Sequence, residues 1–179
     1  MGIGNTTTSA AVTAALTGAD VETVTGRGAG LSTEGLARKV HAIQTALALH
    51  QPDPNDPIDV LHKVGGLDIA GLAGLYLGAA ACGLPAVLDG VISCAAALIA
   101  VRLCPEVRGY LLAGHRSEEP AGALLLRELE LRPFITAGMR LGEGTGAVAA
   151  VSLLDLVLAA YDGMPSFAEA GVEAYQPLT

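Results

Sequence analysis

A glutamate enclosed by glycines, Glu143 in "LGEGTGA", is the residue of this sequence best suited to moving a proton. Neither helix nor strand propensity favours a glutamate there. The flanking glycines allow positive φ and leave the carboxylate open to a ligand. Met139 and Leu141 are apolar neighbours expected to raise its pKa and suit it to general-base work; a solvated turn glutamate is the plain alternative. At the other end of the chain, "GIGNTTT" sets Gly2, Gly4, Asn5 and Thr6 ahead of a helix. Glycines let a phosphate approach the backbone, first-turn N–H groups lack intrahelical acceptors, and Asn5 and Thr6 add side-chain donors. A capped helix after a tight turn explains the same residues. No Lys follows as in a P-loop, and the third glycine of a dinucleotide fingerprint is missing.

Three further groups stand between these ends. "VLDG" puts Asp89 at a strand's end, where an ordinary N-cap is the simpler use. "AGHRSEEP" sets His115, Arg116 and Ser117 just before a helix, with Ser117 as its N-cap in the simpler reading. Lys39, taken alone, reads as a solvated helix residue.

Such groups need a scaffold that brings them to one edge. Helices are expected over residues 7–17, 33–49, 68–82, 91–103 and 119–130, and from the glycine turn to about 161. Thr33 is the expected cap of the second, with Glu34 in its first turn. "QPDPNDP" is the clearest break: Asp56 is an N-cap, Pro57 the first helical residue and Asp59 the N3 partner of a capping-box-like start that stops at Gly65-Gly66. Gly71, Gly74 and Gly78 should permit close helix or sheet contact. "PAVLDG", "GYLLAGHRS" and "PFITAG" read as strands or extended segments. Strand, polar turn and helix recur, which predicts βα units on a parallel sheet, with polar groups where ligands bind in open α/β sheets.

Composition narrows the classes. At 179 residues the chain fits one domain with a real core. Aromatics are 3% and Trp is absent, so Ala, Leu, Gly and Val must pack the interior. A net charge of −8 with no basic patch argues against nucleic acid, and an anionic substrate would need local donors. Cys82, Cys94 and Cys104 lack metal spacing and suit reduced thiols in a cytoplasm. His41, His50, His62 and His115 form no zinc-type pattern. The longest apolar runs, "VISCAAALIAV" and "AVAAVSLLDLVLAA", fall short of the roughly 20 residues of a spanning helix, and Asp155 interrupts the second.

Taken in order, "MGIGNTT", "GRGAG", "GLARK", "VGGLDIAGLAG", "VLDG", "HRSEEP", "RLGEGTGA" and "FAEAGV" resemble segments of the nicotinate-nucleotide–dimethylbenzimidazole phosphoribosyltransferases. The resemblance runs from residue 1 to about 172 and looks like the carboxy-terminal half of that family's polypeptide, with Met1 similar to an internal methionine. It implies a single α/β domain over 1–179, a Rossmann-like parallel sheet flanked by helices and incomplete in this chain. The last helices, about 147–172, would contribute to a small helical subdomain. It also implies a cytoplasmic homodimer that moves phosphoribosyl from nicotinate mononucleotide to 5,6-dimethylbenzimidazole without metal or redox cofactor. Under it Glu143 is the base, Gly2, Gly4, Asn5 and Thr6 line the nucleotide site, and Lys39 is the phosphate counter-ion. Asp89 would take a ribose hydroxyl, Ser117 a phosphate oxygen, and Leu141 would pack on the aromatic base. The rival readings are a non-catalytic nucleotide- or base-binding fragment and a small helical membrane protein, which Asp89 and Asp155 disfavour.

Overall fold

The structure, a computed structural model, describes residues 3–173 and 175–177. Its centre is an alanine-rich helix, α6 (Val91–Leu103), in which every residue from Cys94 to Val101 is buried. Small side chains let α1 (Asn5–Thr17), α5 (Leu67–Ala81) and α7 (Gly122–Glu128) pack directly against it. Leu98 and Ile99 add the branched bulk, each worth about 1.5–3 kcal/mol for removal from water. The short α2 (Val21–Val24), α3 (Thr33–His50) and α4 (Pro57–Val64) close the layer around α1.

The parallel sheet is small. β1 (Ala86–Leu88) and β2 (Leu111–Ala113) pair in register Ala86↔Leu111, with α6 and a 3-10 helix (Pro105–Tyr110) crossing between them. The "PFITAG" segment adds only a parallel bridge, His115↔Ile135, and hydrogen bonds from the Phe134 and Ile135 amides to the Ala113 and Gly114 carbonyls. The parallel α/β class is present, but helices dominate it.

Several local expectations shift. Helix α3 is capped by Ser32, whose Oγ accepts from the Gly35 amide at 3.1 Å, so Thr33 is its first residue rather than its cap. Asp56 does cap α4, accepting from the Ile58 and Asp59 amides. Asp59, however, does not return to Asp56: it accepts from the Asp53 amide and from Lys63. A Cβ at Gly71, Gly74 or Gly78 would meet nothing within 4 Å, so these glycines form an open face of α5 instead of a close contact. The helix after Ser117 starts only at Gly122.

Helix α8 (Thr145–Gly163) buries only Gly146 and Ala150. Val148, Leu156 and Tyr161 are exposed. Expected from sequence to fall short of a membrane span, this run is extended by its flanks into a 19-residue helix. By length and composition it is apolar enough to cross a bilayer, with 11% of its span buried.

Candidate functional site

The Glu143 turn carries backbone strain. Gly142, Glu143 and Gly144 hold φ of 75°, 57° and 77°, three successive left-handed residues. Glycine takes that region freely, but an L-residue such as Glu143 pays about 1–2 kcal/mol for it. Strain of this kind persists only where neighbouring structure over-determines it. The neighbour here is Asp89. Its carboxylate accepts from the amides of Gly144 (3.1 Å), Gly146 (2.8 Å) and Ala147 (3.2 Å), capping α8 from 55 to 58 residues away.

That use of Asp89 corrects the simple sequence reading. α6 has Gly90 as its N-cap with no side-chain cap bond, and the Asp89 carboxylate points to α8 instead. The β1 end is tied locally by Ser93, whose Oγ accepts from the Asp89 amide and donates to the Gly90 carbonyl. α8 reaches the strands closely because Gly114 leaves room: a Cβ there would lie 2.6 Å from the Leu88 carbonyl oxygen and 3.2 Å from Ala147 Cα.

The leading turn forms the facing wall. Gly4 is the left-handed N-cap of α1 at φ 84°, with no side chain spent on capping. The Thr7 amide is taken by the Gly4 carbonyl at 2.9 Å. Asn5 turns its amide N–H to Asp68 at 2.9 Å rather than into open space. Gly2 lies outside the described residues.

Lys39 is not a solvated helix residue. It is 8% exposed, and its Nζ donates to Thr6 Oγ1 (2.9 Å) and to the Gly26 carbonyl (2.8 Å). Burial pulls its pKa below the ordinary lysine value, and the nearby Glu119 carboxylate opposes that. Ser117, 8% exposed, accepts from the Glu119 amide at 3.2 Å in a local turn.

A single open cleft of about 1280 Å³ takes in Gly4, Asn5, Thr6, Lys39, Asp89, Ser117, Leu141 and Glu143. It exceeds the roughly 300–1,000 Å³ of ordinary small-molecule pockets. The shielding expected around Glu143 is absent: Glu143 is exposed, and Leu141 is 75% exposed. Arg27, Glu119 and Arg140 also line the cleft. Arg27 and Arg140 belong to "GRGAG" and "RLGEGTGA" and Glu119 to "AGHRSEEP", so each lies in a motif whose other residues carried the stronger signal. Among the described residues no cluster of three or more His, Cys, Asp or Glu is arranged to hold a metal.

The phosphoribosyltransferase family model matches residues 1–172. The nicotinate-nucleotide–dimethylbenzimidazole phosphoribosyltransferase of Roseiflexus sp. (strain RS-1) is 58% identical over 172 residues, which cover 96% of this chain and 49% of that protein. The protein of the same name from Acetivibrio thermocellus is 50% identical over 177 residues, 99% of this chain and 50% of its own length. The crystal structure of CobT from Thermus thermophilus superposes with a TM-score of 0.86 at 44% identity, over 95% of this chain and 50% of that one. The chain thus spans about half the length of these relatives.

Proposed function

The chain belongs to the nicotinate-nucleotide–dimethylbenzimidazole phosphoribosyltransferase family, and from that premise we propose that it carries the ribosyl-transfer site of such an enzyme. The reaction moves phosphoribosyl from nicotinate mononucleotide to 5,6-dimethylbenzimidazole. One ring nitrogen of the base attacks the anomeric carbon while the bond from that carbon to the pyridinium nitrogen breaks. The departing electron pair neutralises the pyridinium and releases nicotinate. Glu143 takes the proton from the second ring nitrogen, so the product carries no added cation. Attack opposite the leaving group inverts β to α and gives α-ribazole 5′-phosphate. The supporting observation is that Glu143 and the leading turn with Lys39 border the same cleft. A turnover assay following nicotinate release and the anomeric configuration of the product tests the reading. Absence of the α-anomer, with nucleotide bound, favours a non-catalytic binding fragment.

Lys39 is the phosphate counter-ion in this reading, with Ser117 and the Gly4, Asn5 and Thr6 amides beside it. Lys39→Ala should weaken nicotinate mononucleotide about 10–100-fold, the scale of a lost charge-assisted hydrogen bond, and leave the free base unaffected. The pH dependence has a definite sign. A lysine with a lowered folded pKa loses its charge before the unfolded chain does, so folding stability rises with pH between the folded value and 10.5. Nucleotide affinity should fall across that window, with a midpoint below 10.5. Lys39→Arg should flatten the decline in a calorimetric series, because guanidinium keeps its proton.

Leu141, exposed on the cleft rim, would pack against the flat base once both substrates are in place. No cofactor has a part in the proposed steps, since nicotinate leaves as a neutral ring. Turnover should therefore survive EDTA, and loss of activity that added divalent metal restores would contradict the scheme.

The acceptor side of the cleft is open in this chain. Polypeptide equivalent to the rest of the relatives, the amino-terminal half by resemblance, would complete the sheet and that wall. Its docking, together with a homodimer contact, would also cover the exposed apolar side of α8, with residues about 147–172 contributing to a small helical subdomain. Support comes from the half-length match and from the exposed Val148, Leu156 and Tyr161. A cytoplasmic setting fits the unpaired Cys82, Cys94 and Cys104. A lipid partner for α8 makes the opposite prediction: the chain would float with phosphatidylcholine vesicles, whereas a protein-covered face leaves it in the unbound fraction.

A further inference from the structure

The brace behind Glu143 contains a side chain that the proposed reaction does not use. His115, at the end of β2, is 2% exposed, and its Nδ1 is buried without a hydrogen-bond partner. A buried ring nitrogen left unpaired costs free energy, so its surroundings merit a physical account. The acidic group facing it is Asp89, whose Oδ1 lies 3.8 Å away. That same oxygen accepts the Gly146 and Ala147 amides. At the same Nδ1 edge the imidazole is packed against the backbone of α8: a Cβ added at Gly146 would overlap Nδ1, Cε1 and Cγ of His115. Gly146 thus has a packing reason that positive φ does not supply.

We propose that His115 is a positioning residue for Glu143, acting through Asp89, with its Nδ1–H directed at the Asp89 carboxylate. Asp89 holds three amides of a turn that contains a strained left-handed glutamate. Unless a second contact fixes the carboxylate, it can rotate and release them. His115 supplies that contact from the protein interior, on the side away from solvent. At 3.8 Å the pair is longer than a hydrogen bond and acts as a close electrostatic contact between an N–H and a carboxylate, strengthened by burial. The catalytic consequence rests on the role given to Glu143 above; the brace itself does not.

Residue-resolved amide hydrogen exchange on the 179-residue chain tests it. His115→Phe keeps a planar ring but has no donor. It should speed exchange at Gly144, Gly146 and Ala147 about tenfold, with α6 amides unchanged, as expected for a local opening. His115→Asn places an N–H₂ where Nδ1 stands and should restore most of the protection; His115→Gln, whose amide reaches the Nε2 position, should not. Equal exchange in wild type and His115→Phe overturns the proposal. If the Phe variant unfolds, the Asn and Gln pair decides, and Asn protecting no better than Gln overturns it. In an assembly that turns over, kcat should follow the exchange rates across the variants while KM for the nucleotide stays constant. A wild-type assembly that produces no nicotinate counts against ribosyl transfer and leaves the exchange comparison standing.

Discussion

Glu143→Gln should lower turnover by about 10²–10⁴-fold, the range for loss of a general base, and leave nicotinate mononucleotide affinity nearly unchanged. Gln is isosteric and tolerates the left-handed turn no worse than Glu, so the flanking φ values need not move. What it cannot do is accept the benzimidazole proton as attack proceeds. A transition-state role lowers kcat and kcat/KM together with the binding constant fixed. Equal losses in turnover and affinity would instead make Glu143 a structural residue. Glu143→Gly separates strain from chemistry: it removes the side chain that makes φ of 57° costly and should hold or raise Tm while turnover is lost.

Asp89→Ala carries the second large effect, and it falls on stability first. Three amides at the start of α8 lose their acceptor, and the strained turn loses what holds it. Cap losses and charge-assisted hydrogen bonds together suggest about 2–3 kcal/mol, or a Tm roughly 5–10 °C lower for a domain of this size. Turnover should drop with it, since Glu143 sits one residue before the first released amide. Asp89→Asn divides the roles. Its oxygen can still serve Gly146 and Ala147, but its N–H₂ then meets the Gly144 N–H, donor against donor, so an intermediate Tm is expected. Were Asp89 only a ribose ligand, Asp89→Asn would weaken the nucleotide and leave Tm where it was.

Local rules read much of this fold directly. Asp56-Pro57 announced the start of α4, and the apolar run "VISCAAALIAV" announced helix α6, because both depend on near neighbours in sequence. Failures came where distant segments meet. Gly71, Gly74 and Gly78 suggested close packing, yet they face open space, since glycine spacing does not say which side of a helix is covered. Lys39 looked solvated because nothing beside it in sequence reveals Thr6 and the Gly26 carbonyl, 33 and 13 residues away. Asp89 looked like the cap of the helix that follows it and instead caps one more than fifty residues on. His115 stood in a quoted motif, but its use depends on Asp89 and Gly146 arriving from other elements. The Glu143 turn was readable, because three left-handed residues in a row require the glycines that surround it. Its apolar shielding was not, because Leu141 points outward in the half-length chain.

Chemical-shift mapping of the isotope-labelled chain, titrated with nicotinate mononucleotide, asks most directly whether one site joins the leading turn to the glycine-enclosed carboxylate. The amides of Gly4, Asn5 and Thr6 and those of Gly142, Glu143 and Gly144 should shift together, with one saturating dissociation constant and no dependence on added metal. Shifts confined to the leading turn, with the Glu143 segment unmoved at saturation, would contradict a shared catalytic cleft.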